Sequence, residues 1–431
     1  MKHPTPLPNL LDAAYAVGLL VASPVLAYRL LRTGKWRSDW RGKLGHFAPL
    51  PADPRPTVLL HGVSVGEVAA ADPMVQTLGG PSGRGPCRVV VSTTTNTGFQ
   101  RAQALYGAHY DVVRYPLDFS RAAHRFLDRV RPDVVALLEL EVWPNFTRAC
   151  RDRGIPVVVV NGRLSAGSFK GYRRLRSLLS PSFRRLAAVA AQTGEYAGRF
   201  HAMGVPEDRI TVTDSMKWEA PLPEGVREAG ERLGREMGAD PSRPLVVAVS
   251  TGPGEEALLL AGKPAGVQLM VVPRKPERFG EVAELAPWVR RSAGERGPPG
   301  TELFLVDTMG EAEAATALGD VVVIGRSFNG LGASNPVPPA LLGKPVVVGP
   351  HHHNFQEMVD ALVRGGAAVV SPDPWVEIRR ILDDEVFRKG MAAAGPETVA
   401  SHSGAVARNV EVIRRQLRGF APGPDVVPFA P

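Results

Sequence analysis

The sequence predicts an α/β protein built from two Rossmann-like domains. From about residue 56 onward, short and almost wholly apolar segments alternate with helical patterns. Such segments suit parallel strands covered on both faces by helices. The alternation runs twice, and 431 residues are too many for one ordinary core. Residues that no core requires (Glu, Arg, Trp and Asn among Gly and Ser) gather where the apolar segments end.

The first series of strands is predicted at 57–63, 88–93, 134–140, 156–162 and 186–193. One helical pattern between them runs from Ser120 to Val130. The second series is predicted at 244–251, 267–274, 302–308, 321–326, 345–350 and 367–371. Between the series, residues 218–243 are charged and carry proline at both ends. The expected organisation is a membrane-associated segment with a basic belt over 1–50, a first Rossmann-like domain over 51–220 and a second over 240–420. In open parallel sheets ligands bind at the carboxyl ends of strands, so two such domains predict one active site in a cleft between them.

Composition narrows the function. Apolar residues make up 44% of the chain, enough for large cores, and the 45 Gly and 40 Pro fall between apolar runs as turn punctuation. The two cysteines, Cys87 and Cys150, have no Cys or His neighbours at metal spacing. That favours a reducing compartment and gives no disulfide framework or structural zinc site. The net charge of +8 suits an anionic partner: nucleic acid, a membrane surface or a phosphorylated substrate.

The N-terminus favours the membrane. Residues 13–28 carry no charge, although Pro24 lies inside them and Asp12 shortens the stretch. Arg29, Arg32, Lys35, Arg37, Arg41 and Lys43 follow, with Trp36 and Trp40 interleaved. A belt of this kind suits anionic headgroups. Positive charge after the apolar stretch, not before it, argues against a cleaved signal peptide and keeps the rest of the chain in the cytoplasm. No compact basic–aromatic module elsewhere supports nucleic-acid binding.

The strand ends hold the candidate chemistry. HGVSVGE (61–67), STTTNTG (92–98), YPLD (115–118), ELEVWPN (139–145) and NGRLS (161–165) belong to the first half. STGPGEE (250–256), VPRKPER (272–278), GRSFNGLGASNP (325–336) and GPHHHNF (349–355) belong to the second. Turns before helices collect Gly, Ser and Asn for capping alone. Nine such loops, several with Glu, Arg or Trp, point beyond capping to an enzyme. In HGVSVGE, Ser64 is placed to cap a helix whose first turn contains Glu67, where the dipole favours an ionised carboxylate suited to general-base work. Glu139 and Glu141 alternate along an apparently extended segment, so at most one is expected to face a ligand, the other pairing with a cation such as Arg163. STGPGEE reads as a phosphate cradle at a helix start. It is not a P-loop, and no G-x-G-x-x-G opens a first βα unit. Arg274, at a strand end, can engage a phosphate or carboxylate in bidentate fashion. Three consecutive histidines at 351–353 cannot share a helix face, so no metal site is expected there.

Taken in order, these motifs resemble the 3-deoxy-D-manno-octulosonic acid (Kdo) transferases of lipopolysaccharide assembly, from the N-terminal segment through about residue 360. The resemblance implies the GT-B glycosyltransferase fold at the cytoplasmic face of the inner membrane. It implies transfer of Kdo from CMP-Kdo to a lipid A precursor, with inversion and no metal or other cofactor. By resemblance Glu67 is the catalytic base, and Glu141 and Lys217 are active-site residues. Ser250, Thr251, Gly254, Glu255, Arg274, Gly310 and Asn335 fall on the CMP side. The chain departs from the family pattern at Ser334 and Pro338, where His and Glu are usual, and at Asp214, Ser215 and Lys275. Because a glutamate in the Pro338 region commonly holds the nucleotide ribose, two alternatives stand: transfer of another CMP-activated acidic sugar, or a non-catalytic protein that binds lipid A precursor or CMP-sugar.

Overall fold

The computed structural model describes residues 8–33, 39–219 and 222–417. The chain divides into two compact units, Met1–Met216 with Gly404–Pro431, and Lys217–Ser403. The last helix, Ala405–Arg414, therefore belongs with the first unit, although the sequence carries the second domain to residue 420. Its apolar face explains the return: Ala405, Val406, Val410 and Ile413 are buried against Val58, Leu60 and Met74 of the first unit.

The first unit is a sheet of seven parallel strands: β1 (Thr57–His61), β2 (Arg88–Thr93), β3 (Asp111–Arg114), β4 (Val134–Leu138), β5 (Val157–Gly162), β6 (Ala188–Ala191) and β7 (Ile210–Val212). Their order is β3-β2-β1-β4-β5-β6-β7. Leu59, Val135, Leu137 and Val159 point into a core on one face, and Val58, Leu60, Ala136 and Val158 into a core on the other. Burial on both faces is why these strands read as unbroken apolar runs.

The second unit repeats the plan with β8 (Leu245–Thr251), β9 (Gln268–Pro273), β10 (Val289–Arg290), β11 (Leu303–Leu305), β12 (Val321–Ile324), β13 (Val346–Val348) and β14 (Ala368–Val370). These pair in parallel in the order β10-β11-β9-β8-β12-β13-β14. The strands that the sequence pattern misses are β3, β7 and β10. Each is short and at a sheet edge, where partial burial gives no continuous apolar run.

In both sheets the chain winds outward one way and then reverses, past β1/β4 in the first and past β8/β12 in the second. Such switch points splay the following loops apart and leave a crevice at the strand ends. HGVSVGE leaves β1 and ELEVWPN leaves β4, so both flank the first crevice. STGPGEE leaves β8 and GRSFNGLGASNP leaves β12, so both flank the second.

The helix Leu10–Thr33 begins docked on the first unit. Asp12, 8% exposed, accepts from Ser120 N and Asn145 Nδ2 at 2.8 and 3.2 Å and also from Ser120 Oγ. Asn9 donates to Asn145 Oδ1 at 2.8 Å, and Tyr15 donates to Asp118 at 3.0 Å. Asp12 is thus a buried latch, beyond its expected part in shortening the apolar stretch. Among the described residues no helix is long and apolar enough to cross a membrane. Of the basic belt, Lys35, Trp36, Arg37 and the side chains of Arg29 and Arg32 lie outside the described residues. Lys43 Nζ stands 5.2 Å from the centre of the Trp40 ring.

Candidate active site

At the first switch point, Ser64 is the N-cap of the helix Val65–Ala70. Its hydroxyl accepts from Glu67 N at 3.2 Å and donates to Glu67 Oε1 at 2.7 Å. Glu67 Oε2 accepts from Val63 N at 2.8 Å. The Ser64/Glu67 pair is a reciprocal capping device. It does not exhaust Glu67, because a carboxylate offers about four acceptor sites and two are taken here. The half-buried side chain keeps capacity for a ligand hydroxyl.

The segment after β4 is not extended. It leaves the strand at Leu138 and turns at once, with Glu139 at φ +61°. The extended path on which the expected opposite orientations of Glu139 and Glu141 rest is therefore absent. Glu141 feels the charges of both Glu67 and Glu139. Its carboxyl pKa is raised, first by burial and then by those two neighbours, while the hydrogen bond from Trp143 Nε1 at 2.8 Å opposes the rise. Arg163 meets this loop through its backbone N, which donates to the Glu139 carbonyl at 3.1 Å.

His61, which sequence reasoning passes over, ends β1 beneath this cluster. It is fully buried and stacks on Tyr115 with ring centres 3.6 Å apart. Its Nδ1 lies 3.1 Å from the Ser92 carbonyl oxygen, and its Nε2 lies 4.0 Å from Glu141 Oε2. The available signal was a histidine closing an otherwise apolar buried strand. Four other motif residues in this unit have structural partners. Thr95 and Ser165 cap the helices Asn96–Tyr106 and Ala166–Arg174, and Asp118 and Asn145 hold the N-terminal helix.

In the second unit the predicted CMP-side residues collect at one sheet edge, but two of them face inward. Glu255, 2% exposed, accepts from Gly252 N, Arg326 N and Phe328 N at 2.8, 2.6 and 2.9 Å. It clamps the β8 loop to the β12 loop. Burial raises its pKa, and the three backbone donors oppose that. Thr251 is buried and donates to Glu256 Oε1 at 2.6 Å, and Glu256 is bound by Arg278 at 2.7 and 2.9 Å. Ser250 adopts φ +57°, and Gly254, at φ +84°, caps the helix Glu255–Gly262. Arg274 is exposed, with its backbone N on the Thr251 carbonyl at 3.1 Å. Gly310 is exposed at φ +89°, and Asn335 Oδ1 accepts from Val337 N at 3.0 Å. Pro338 falls in the first turn of the helix Val337–Leu341, where proline costs no hydrogen bond. Ser334 Oγ reaches the Ser250 carbonyl at 3.5 Å.

Lys217 is the first residue of the second unit, its Nζ 5.6 Å from the centre of the Phe355 ring. Among the described residues, no three His, Cys, Asp or Glu side chains are placed to hold a metal ion.

The chain resembles the UDP-GlcNAc 2-epimerase of Neisseria meningitidis bound to UDP-GlcNAc, with TM-score 0.56, 13% identity and coverage of 83% of this chain and 100% of that one. It also resembles Anabaena HepE in complex with UDP, with TM-score 0.55, 14% identity and coverage of 83% and 98%. Likeness at such identity speaks to the fold alone, and that fold, two doubly wound parallel sheets, is the GT-B glycosyltransferase type. Residues 38–220 match the family model for 3-Deoxy-D-manno-octulosonic-acid transferase (kdotransferase). The 3-deoxy-D-manno-octulosonic acid transferase of Bordetella pertussis is 34% identical over 87% of this chain and 90% of its own length. That of Haemophilus influenzae is 28% identical over 94% and 98%. The chain belongs to the 3-deoxy-D-manno-octulosonic acid transferase family.

Proposed function

We propose that this protein transfers Kdo from CMP-Kdo to a lipid A precursor at the cytoplasmic face of the inner membrane. The observation that carries the reading is membership of the family together with Glu67 and Glu141 at the first switch point. In the reaction, an acceptor hydroxyl gives its proton to Glu67, and its oxygen forms a bond to the anomeric carbon of Kdo. The bond from that carbon to the phosphate oxygen breaks, and CMP leaves with the electron pair. Attack opposite the leaving group inverts the carbon. Arg274 and the Gly254 helix start supply positive charge for the phosphate.

The membrane part of the reading is supported by a surface on the first unit. Lys170, Arg173, Arg174 and Arg176 sit on consecutive helices with Leu175 and Leu178 exposed among them. Basic residues around exposed leucines suit the anionic headgroups of the inner membrane.

The test is a donor comparison. Purified protein with lipid A precursor receives CMP-Kdo or another CMP-activated acidic sugar, and CMP release is followed. Acceptor-dependent release with CMP-Kdo at least tenfold faster supports the reading. Preference for the other donor, or binding without release, contradicts it.

A further inference from the structure

His61, at the end of β1, holds a buried polar atom that its neighbours leave unspent. His61 Nδ1 lies 3.1 Å from both the Ser92 carbonyl, which can only accept, and the Ser92 hydroxyl, which can turn its own proton to the Leu60 carbonyl at 3.4 Å; both contacts are met when the proton of the neutral ring sits on Nδ1. That leaves Nε2 as a lone pair. Among the described residues, no hydrogen-bond partner reaches it. It lies 4.0 Å from Glu141 Oε2. That oxygen also accepts from Trp143 Nε1 at 2.8 Å, and an acceptor facing an acceptor gains nothing unless a proton lies between them.

The ring cannot readily supply that proton. Burial holds the His61 pKa down to about 3, with the Ser92 contact opposing only weakly. Nor can the ring turn away, because Tyr115 stacks on its face at 3.6 Å and Ser92 holds its other edge. The carboxyl can supply it. The titratable groups that face Glu141 are Glu67 on the helix Val65–Ala70, Glu139 in its own loop, Tyr115 after β3 and Tyr172 on the helix Ala166–Arg174. Two of these are acids whose negative charge opposes ionisation of Glu141, and neither tyrosine brings positive charge. Glu67 itself accepts from two donors, Ser64 Oγ and Val63 N.

We propose that His61 is a positioning residue: its buried Nε2 accepts a hydrogen bond from a neutral Glu141 carboxyl and so fixes that carboxyl beside Glu67, the base of the proposed reaction. The 4.0 Å separation shortens once substrate is bound, as hydrogen bonds in empty active sites commonly do. This division of labour rests on the reading of Glu67 and Glu141 as site residues. It gives two adjacent carboxyls different roles, one to accept a proton in the reaction and one to donate a hydrogen bond. It also removes a negative charge from a site whose substrates are themselves anionic.

The test compares His61→Asn with His61→Gln. Asparagine keeps a donor for the Ser92 carbonyl but has nothing at the Nε2 position. Glutamine restores an acceptor at that reach. kcat/KM is followed with CMP-Kdo and lipid A precursor over about pH 5 to 9. Loss of the acceptor lowers the Glu141 pKa, so the alkaline limb moves down by about one pH unit in His61→Asn. It returns toward wild type in His61→Gln. Infrared difference titration reads the protonated carboxyl directly, assigned by its loss in Glu141→Gln, and needs no turnover. A limb and an infrared titration that stay in place in His61→Asn, whatever the activity, overturn the proposal. Glu67→Gln in the same assay separates the two readings: full turnover there removes the site assignment itself, while a shifted Glu141 titration stands or falls independently.

Discussion

Ser64 and Glu67 cap each other: the Ser64 hydroxyl donates to the Glu67 carboxylate at 2.7 Å and accepts from its backbone N at 3.2 Å. The residue expected to act as base is therefore also part of the scaffold. The two roles are compatible, since each uses different acceptor sites of one carboxylate. Yet they can be separated, because glutamine serves in a capping pair as glutamate does. Glu67→Gln should lower kcat by about a hundredfold to ten-thousandfold. The melting temperature should stay close to wild type. A variant that unfolds would make Glu67 chiefly a cap.

How much of this was legible in the sequence follows from burial. Strands covered on both faces, such as β1, β4 and β8, betray themselves as apolar runs, and the loops at their ends mark the switch points. The sequence also places Ser64 and Glu67 correctly, because capping is local. Glu255 and Thr251 are legible as residues of the second switch point but not in orientation. Whether a carboxylate faces a ligand or the backbone of a loop about 70 residues away depends on tertiary contacts such as that between Glu255 and Arg326. The turn at Glu139 hides for a similar reason, since a non-glycine residue at positive φ leaves no mark in a pattern of residue types. The docking of Asp12 on Ser120 and Asn145 joins residues far apart in the chain and is invisible to periodicity.

That latch gives a second prediction. Asp12→Ala removes a buried acceptor and strands Ser120 N, while Asn145 Nδ2 keeps the Asp118 carbonyl. The cost should be about 2 to 4 kcal/mol. Hydrogen exchange should rise in residues 10–20 while β1, β4 and β5 stay protected. Unchanged exchange there would show that the latch does not hold the helix.

Asp118, beside that latch, carries a pH signature. Burial lifts its pKa from 3.8 to about 6, against the opposing bonds from Asn145, Phe146 and Tyr15. The folded state thus binds its proton more tightly than the unfolded chain. Its contribution to stability is full below about pH 4 and declines as the pH rises to about 6. Subtracting the unfolding free energies of Asp118→Asn from wild type across this window should reveal that slope. A flat difference contradicts the assignment.

In the second unit, Glu256 is fully buried against Arg278, with Thr251 donating to the same carboxylate. Glu256→Ala leaves the Arg278 guanidinium with the more exposed Glu281 as its remaining carboxylate, beside a Thr251 hydroxyl that has lost its acceptor. Breaking one side of such a pair costs about 3 to 5 kcal/mol. Urea unfolding should show the loss, and a cost under about 1 kcal/mol would mean that water replaces the carboxylate freely.

Leu175 and Leu178 offer a test of the membrane reading. Leu175→Glu with Leu178→Glu should reduce co-flotation with anionic vesicles severalfold and leave the melting temperature nearly unchanged, since both leucines are exposed. Undiminished flotation would move the contact elsewhere on the protein.

The central claim is transfer of Kdo, and the most direct measurement is mass spectrometry of the lipid product. Wild-type protein in detergent is incubated with CMP-Kdo and a tetra-acylated lipid A precursor, alongside Glu67→Gln. The account predicts precursor carrying added Kdo in the wild type and only traces in the variant. Unmodified precursor in both, with the lipid bound and the protein folded, would contradict it.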